Sequence, residues 1–367
     1  MAPRSQTATS NHGVTTLRRR IRVVVVDDSA LARQLISRLL RSDPDIEVVG
    51  IASDPYSARN IIKSTNPDVV TLDVEMPNMD GISFLEKIMR LRPMPVVMVS
   101  SLTLRGAEIT LQALELGAVD FVTKPALDVE RGLDGKREEL VAKVKAASQA
   151  RIKPLGQPYG TVAPAPLPAR SGPLRGTDSI VAIGSSTGGV DALRQIICAL
   201  PPDSPAVLIT QHMPAGFTAR FAERLDGLAQ VRVRQAEDGQ RVLPGHVYIA
   251  PGDKHLRLVR SGAQYHCRLG DDAPVGGHKP SVDVLFHSVA AVAGGKSVGV
   301  ILTGMGRDGA SGLKAMREAG ARTLGQDEQS CVVYGMPKAA FNDGAVETEY
   351  PIQQMAAAIL DRVQSLA

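Results

Sequence analysis

The chain predicts an α/β protein made of two doubly wound parallel-sheet domains joined by a Pro-rich linker. Three observations carry this. Short β-branched runs alternate with longer helical patterns in both halves of the sequence. Between them, from residue 151 to about 176, lie Pro154, Pro158, Pro164, Pro166, Pro168 and Pro173 with no acidic residue and no periodic apolar face. The length of 367 residues also exceeds what a single hydrophobic core usually organises.

The composition, 44% hydrophobic and 22% charged, supplies enough apolar residues for two cores and excludes a disordered chain. The net charge is +4, but Arg4, Arg18, Arg19 and Arg20 sit in residues 1–20 with no acid. The other 38 basic side chains therefore balance the 38 acidic ones, and a nucleic-acid partner is not expected. Residues 1–20 read as a disordered basic tail. Cys198, Cys267 and Cys331 form neither a CxxC pair nor an even disulfide set, so they read as reduced thiols, with no zinc site. The apolar stretch Ile21–Val26 is broken at once by Asp27 and Asp28, too short for a signal sequence or a membrane span. A cytoplasmic protein without membrane insertion is expected.

The first domain spans residues 21–147. Its runs are RVVVV, LARQLISRLL, DVVTL, ISFLEKIMRL, PVVMVS, AEITLQALELG and VDFVT, strand and helix in alternation. Leu31, Leu35, Ile36, Leu39 and Leu40 recur at helical spacing and predict one buried stripe. Residues 148–177 form the linker, and residues 178–367 the second domain, with strands in SIVAIG, AVLIT, HVYIA, SVGVILTG and ARTLG.

Ligands of parallel α/β sheets gather beyond the carboxyl ends of the strands. In the first domain that edge collects Asp27 and Asp28 after the first strand, Asp73 after the third, Ser100 after the fourth and Lys124 after the fifth. Converging carboxylates repel one another unless their pKa values rise or a divalent cation joins them, and an all-oxygen site suits Mg²⁺. Asp73 could then accept a phosphoryl group. The segments DDS at 27–29, LDVEMPNMDG at 72–81, MVSS at 98–101 and FVTKP at 121–125 resemble the signatures of a response-regulator receiver domain, which has a flavodoxin-like fold. That resemblance implies Asp73 as phosphoacceptor, and Mg²⁺ held by Asp27, Asp28, Asp73 and the backbone carbonyl of Glu75. It further implies Ser100 and Lys124 as the phosphorylation-sensing pair, Phe121 as the switching aromatic, and a sensor histidine kinase as phosphodonor.

In the second domain, Ser185 and Ser186 follow one strand, His212 a second and Asp308 a third. A serine hydroxyl needs a base, and the base needs a carboxylate to fix its tautomer. The glycines beside the serines allow a tight turn that brings backbone amides near an oxyanion. The pattern differs from the G-x-S-x-G elbow of α/β-hydrolases. Gly304, Gly306 and Gly309 also form a G-x-G-x-x-G after an apolar run, with Asp327 18 residues beyond, which keeps a nucleotide-dependent enzyme open. His246, His255, His266, His278 and His287 compete with His212 as bases.

The segments IGSSTGG at 183–189, TQHMPAGFTARFAERL at 210–225, VLPGHVYIAPGDKHL at 242–256, PSVDVLFHSVA at 280–290, ILTGMGRDGA at 301–310 and CVVYGMPKAA at 331–340 resemble the catalytic domain of bacterial chemotaxis protein-glutamate methylesterases. The resemblance implies a Rossmann-like sheet with Ser186 as nucleophile, His212 as base and Asp308 as orienting acid, and no cofactor for the esterase. Ser185, usually Ala in that family, is expected to face the turn, while Thr187 and the backbone at Met305 are candidates for oxyanion contacts. The implied activity is phosphorylation-activated hydrolysis of glutamate methyl esters, and deamidation of glutamines, on methyl-accepting chemoreceptors, with the unphosphorylated receiver packed over the cleft. Two alternatives are a phosphorylation-switched binding module with an inert triad and the nucleotide-dependent enzyme.

Overall fold

The computed structural model describes residues 19–76, 80–101, 103–124, 133–152 and 179–366. The basic tail up to residue 18 and the linker prolines lie outside the described residues.

The first sheet has five parallel strands in the order β2-β1-β3-β4-β5. The elements are β1 (Ile21–Val26), α1 (Ala30–Arg41), β2 (Ile46–Ala52), α2 (Pro55–Thr65), β3 (Val69–Asp73), α3 (Gly81–Leu91), β4 (Val96–Ser100), α4 (Leu104–Glu115), β5 (Asp120–Thr123) and α5 (Leu133–Ser148). The valine run of β1 is unbroken because both faces are covered. Val24 and Val26 point into one apolar cluster with Leu72 and Phe84, while Val23 and Val25 enter another with Leu40 and Val144. Helix α1 starts where Ser29 caps the Ala32 N–H, and it buries Leu35, Ile36, Leu39 and Leu40. Leu31 departs from the predicted stripe, at 52% exposed. It lies in the first turn of α1, at the carboxyl edge of the sheet, where little sheet surface is left to cover it.

The second sheet has seven strands in the order β14-β13-β12-β6-β7-β9-β8. It is built from β6 (Ile180–Ser185), α6 (Gly189–Ile197), β7 (Ala206–Gln211), α7 (Phe217–Asp226), β8 (Arg232–Gln235), β9 (His246–Ile249), a β10 (His255–Ser261) and β11 (Gln264–Gly270) hairpin, α8 (Val282–Val292), β12 (Ser297–Ile301), α9 (Ala310–Glu318), β13 (Arg322–Gln326), α10 (Met336–Asn342), β14 (Thr348–Tyr350) and α11 (Ile352–Gln364). The sheet is Rossmann-like with β9 inserted between β7 and β8, and all its pairings are parallel. Its central strands β6, β7 and β12 are fully buried, as a sheet covered on both faces requires.

Chain order reverses between β1 and β3 in the first sheet and between β6 and β12 in the second. Such switch points open a crevice at the carboxyl edge. Asp27 and Asp73 flank one crevice, and Ser186 and Asp308 flank the other. The two domains meet through α4, which packs on α6 and α7. Phe121 of β5 stacks on Phe217 of α7 with centroids 4.5 Å apart, and Glu115 takes two bonds from the Arg224 guanidinium, 2.7 and 2.5 Å.

Candidate active site

In the second crevice, the turn after β6 holds Ser186 in place through its backbone. Its N–H donates to Thr303 O at 3.0 Å, and its carbonyl accepts from Gly189 N at 2.7 Å. Gly188 stands at φ +78°, and a Cβ there would meet Val332 at 2.6 Å, so the turn requires glycine. A Cβ on Gly304 would come within 2.8 Å of Ser186 Cβ. The Gly304–Gly306 run thus lies directly against the serine, and Met305 is 37% exposed beside it.

His212 follows β7 and presents Nε2 to Asp308 Oδ2 at 2.8 Å, with only 13% of the His212 side chain exposed. Nδ1 is then the nitrogen left to exchange a proton. Asp308 is saturated. Oδ2 also accepts from Val282 N at 2.7 Å, and Oδ1 accepts from Ser281 Oγ at 2.8 Å and Asp283 N at 3.1 Å. These donors cluster at the N-terminus of α8, whose dipole favours an anion. Burial acts to raise the Asp308 pKa, but the His212 bond and charge and the backbone donors outweigh it and hold the group at about 2. A fixed carboxylate of this kind keeps the imidazole in one tautomer and steadies it when charged. Among the described residues the Ser186 hydroxyl has no hydrogen-bond partner.

Two neighbours of this cluster were not legible as such in the sequence. Gln211 accepts from the Ser185 hydroxyl at 2.6 Å and donates to the carbonyls of Ser186 and His212 at 3.0 and 3.1 Å. It therefore ties the backbone of the serine to that of the histidine. Ser185 packs against the turn, fully buried, where a Cβ on Gly189 would meet its Oγ at 2.9 Å. His278 stacks on His212, centroids 4.0 Å apart and tilted by 41°. It ends a tight turn with reciprocal 3.0 Å bonds to Val275. Burial, helped by the His212 charge, drives its pKa down to about 4, so it is neutral at physiological pH. Of the competing histidines, His246 bonds Pro244 O, His255 bonds Ala273 O and His287 bonds Ser311. Only the His278 ring stacks on the His212–Asp308 pair among the described residues.

The Thr187 hydroxyl is engaged elsewhere. It donates to Asp120 Oδ2 of the first domain at 2.5 Å, and Thr187 is 4% exposed. Asp327, the acid of the nucleotide fingerprint, accepts from Ser330 N and Oγ and caps its own loop. Asp308, inside the fingerprint, points to His212.

In the first crevice, Asp27, Asp28 and Asp73 place one carboxylate oxygen each within 4.8 Å of the others. Lys124 Nζ lies 2.8 Å from Asp73 Oδ2 and 3.2 Å from Asp27 Oδ2. The second contact is a charge contact without hydrogen-bond geometry, since Asp27 Oδ2 is buried with no hydrogen-bond partner. Burial raises both carboxyls against the pull of Lys124, Asp73 to about 6. Two raised pKa values on carboxylates that share one lysine describe a site short of positive charge, and an oxygen-only donor set fits a hard divalent cation. Ser100 is fully buried; its hydroxyl accepts from Thr110 Oγ1 of α4 at 2.8 Å. Phe121, 3% exposed, faces the second domain.

An acidic switch-point crevice fused to a domain that gathers a serine, an imidazole and a carboxylate defines a response regulator with an enzyme-like output domain. The response regulator receiver domain family matches residues 23–132, and the CheB methylesterase family matches residues 181–359. The protein-glutamate methylesterase/protein-glutamine glutaminase 1 of Cupriavidus metallidurans is 57% identical over 93% of this chain and 95% of its own. The Salmonella typhimurium protein-glutamate methylesterase/protein-glutamine glutaminase is 56% identical over 94% and 98%. The crystal structure of the Thermotoga maritima CheB methylesterase catalytic domain covers 50% of this chain and 97% of its own at 38% identity, with a TM-score of 0.49. The chain belongs to the CheB methylesterase family, with a receiver domain in front.

Proposed function

We propose that this protein hydrolyses glutamate methyl esters, and deamidates glutamines, on chemoreceptors, and that phosphorylation of its receiver by a sensor histidine kinase raises the rate. The buried His212–Asp308 pair, tied through Gln211 to the backbone of Ser186, carries the reading. Ser186 Oγ attacks the ester carbonyl while His212 Nδ1 takes its proton. The proton passes to the departing methoxide, which leaves as methanol, and water then releases the carboxylate from Ser186 by the same base. In this reading the backbone N–H groups of Thr187 and Met305 would receive the oxyanion, because the Thr187 hydroxyl donates to Asp120.

Regulation follows from where the receiver sits. Its contacts fall on Thr187, next to the nucleophile, and on Phe217, in the helix after His212. Asp73, Lys124 and Ser100 would hold the phosphoryl group, and Asp27, Asp28 and Asp73 with the Glu75 carbonyl would hold Mg²⁺, which supplies the charge that lets an anionic phosphodonor approach. Redirecting the Ser100 hydroxyl proton to a phosphoryl oxygen would take it from the carbonyl of Gly106 in α4, the helix that carries Glu115 to Arg224. Among the described residues no helix is long and apolar enough to cross a membrane.

Methanol release from methylated receptor membranes tests substrate and nucleophile together. The wild-type chain should release methanol, faster with a small-molecule phosphodonor and Mg²⁺, whereas Ser186→Ala should not. Equal release by both proteins would refute the assignment.

A further inference from the structure

Helices α2 and α3 of the receiver leave a groove between them, a cavity of 540 Å³ lined by Pro55, Ile62, Phe84, Ile88 and Met94 on its floor. Ile62, Phe84, Ile88 and Met94 are at most 7% exposed. The lips are different. Tyr56 on α2 is 66% exposed and Leu91 on α3 is 73% exposed, large apolar side chains held in water on either side of an apolar floor. Around them stand Arg59 and Lys63 on α2, Lys87 on α3 and Arg92 just beyond it, and the lining contains no Asp or Glu. Arg92 donates to Ile62 O and Asn66 Oδ1, both neutral acceptors, and among the described residues it is in no ion pair. Among the described residues neither Arg59 nor Lys63 is in an ion pair. The groove is separate from both sites above, since the interdomain contacts use α4, β5 and Arg151 and the acidic crevice lies at the strand ends.

We propose that this groove docks an acidic, amphipathic helical segment of a partner protein, with one large apolar side chain on the floor and carboxylates facing Arg59, Lys63 and Arg92. The charge distribution selects this occupant. The cations do not converge on one point, as they would for a single phosphate, but are spaced one helical turn apart along α2 with Arg92 at the groove's end, a spacing matched by carboxylates on successive turns of a partner helix. The apolar floor rewards a buried side chain and has no use for a bare anion. The chain's own basic tail and proline-rich linker cannot fill the role, because residues 1–20 and 151–176 contain no carboxylate. Two copies meeting groove to groove would oppose like charges. The inference does not depend on the esterase reading.

The test is fluorescence anisotropy on the full-length chain with a labelled helical peptide of about 15 residues, Glu on one face and Leu with a central Phe on the other. Saturable binding is expected, weakened about ten-fold or more by Arg59→Glu/Lys63→Glu and by Leu91→Asp, and weakened by added salt. Phosphorylation of Asp73 by acetyl phosphate, measured on the same variants, should be retained and shows that their receivers are folded. The same peptide with Lys in place of Glu should not bind. Absence of saturation up to about 1 mM peptide would overturn the proposal. So would equal binding of the Lys peptide, unchanged affinity in folded variants, or capture of the chain by phosphatidylglycerol vesicles that these substitutions abolish while peptide binding persists.

Discussion

The two crevices share an architecture and differ in charge accounting. Each lies where strand order reverses, and each is built on carboxylates at strand ends. Asp308 receives four donors, two from the start of α8 and one each from Ser281 and His212, and its pKa falls to about 2. Asp73 and Asp27 share one lysine and have raised pKa values. A saturated carboxylate is preorganised and needs nothing further to work on its histidine. An undersupplied one is poised to take up a cation and a phosphoryl group, so its state can change. One domain is therefore suited to chemistry and the other to switching, although the sheets beneath them are alike.

The largest test of the saturated site is Asp308→Asn. It should lower kcat for ester hydrolysis by about 10³-fold or more with receiver phosphorylation unchanged, because the amide cannot hold the imidazole tautomer. A loss of only a few fold would mean that the His212–Asp308 pair is structural. Next comes the coupling between the domains. Arg224→Glu places like charges at Glu115 and should raise the unphosphorylated esterase rate, about three- to ten-fold, with the Glu115→Arg partner change restoring the low rate. An unaltered basal rate would show that this contact does not restrain the enzyme.

A smaller effect is expected at His278. His278→Ala should reduce kcat a few fold with little change in KM, since the ring packs on the base. Because its pKa lies near 4, the shape of the rate profile above about pH 5 should be the same in variant and wild type. A shifted acid limb would contradict that.

The smallest effect is on stability and tests the undersupplied site. The Asp73 pKa is about 6 in the folded chain against 3.8 unfolded, so the native state binds more protons between those values and stability falls as pH rises through that window. Asp73→Asn should therefore stabilise the receiver at pH 8 by on the order of 1–2 kcal/mol, seen as a higher melting temperature, and change little at pH 4. Mg²⁺ should stabilise the wild type at pH 8 and lose its effect near pH 4, where protonated carboxyls no longer hold it. Thermal scans at the two pH values check both; stabilisation of equal size at both would contradict the linkage.

Much of the architecture was readable along the chain. Alternating apolar runs reported two parallel sheets, and reactive side chains at strand ends lie at both crevices. The motif order pointed to the family that the comparisons then established. Several features were not readable. Gln211 looks like an ordinary strand-end amide, yet it clamps two backbones. His278 was one of five competing histidines until a tight turn set it on His212. Leu31 fitted the apolar stripe and lies in the open. Thr187 Oγ1 meets Asp120, 67 residues earlier in sequence.

The sequence by itself determined which chemistries were available and at which strand ends they would appear, because side-chain period and strand–helix alternation are local properties. Only the tertiary structure decided which carboxylate is saturated and which is left wanting, which imidazole backs the other, and which face of the receiver meets the serine turn. Those outcomes depend on burial and on donors brought together from distant segments, and neither is a property of any short stretch of chain.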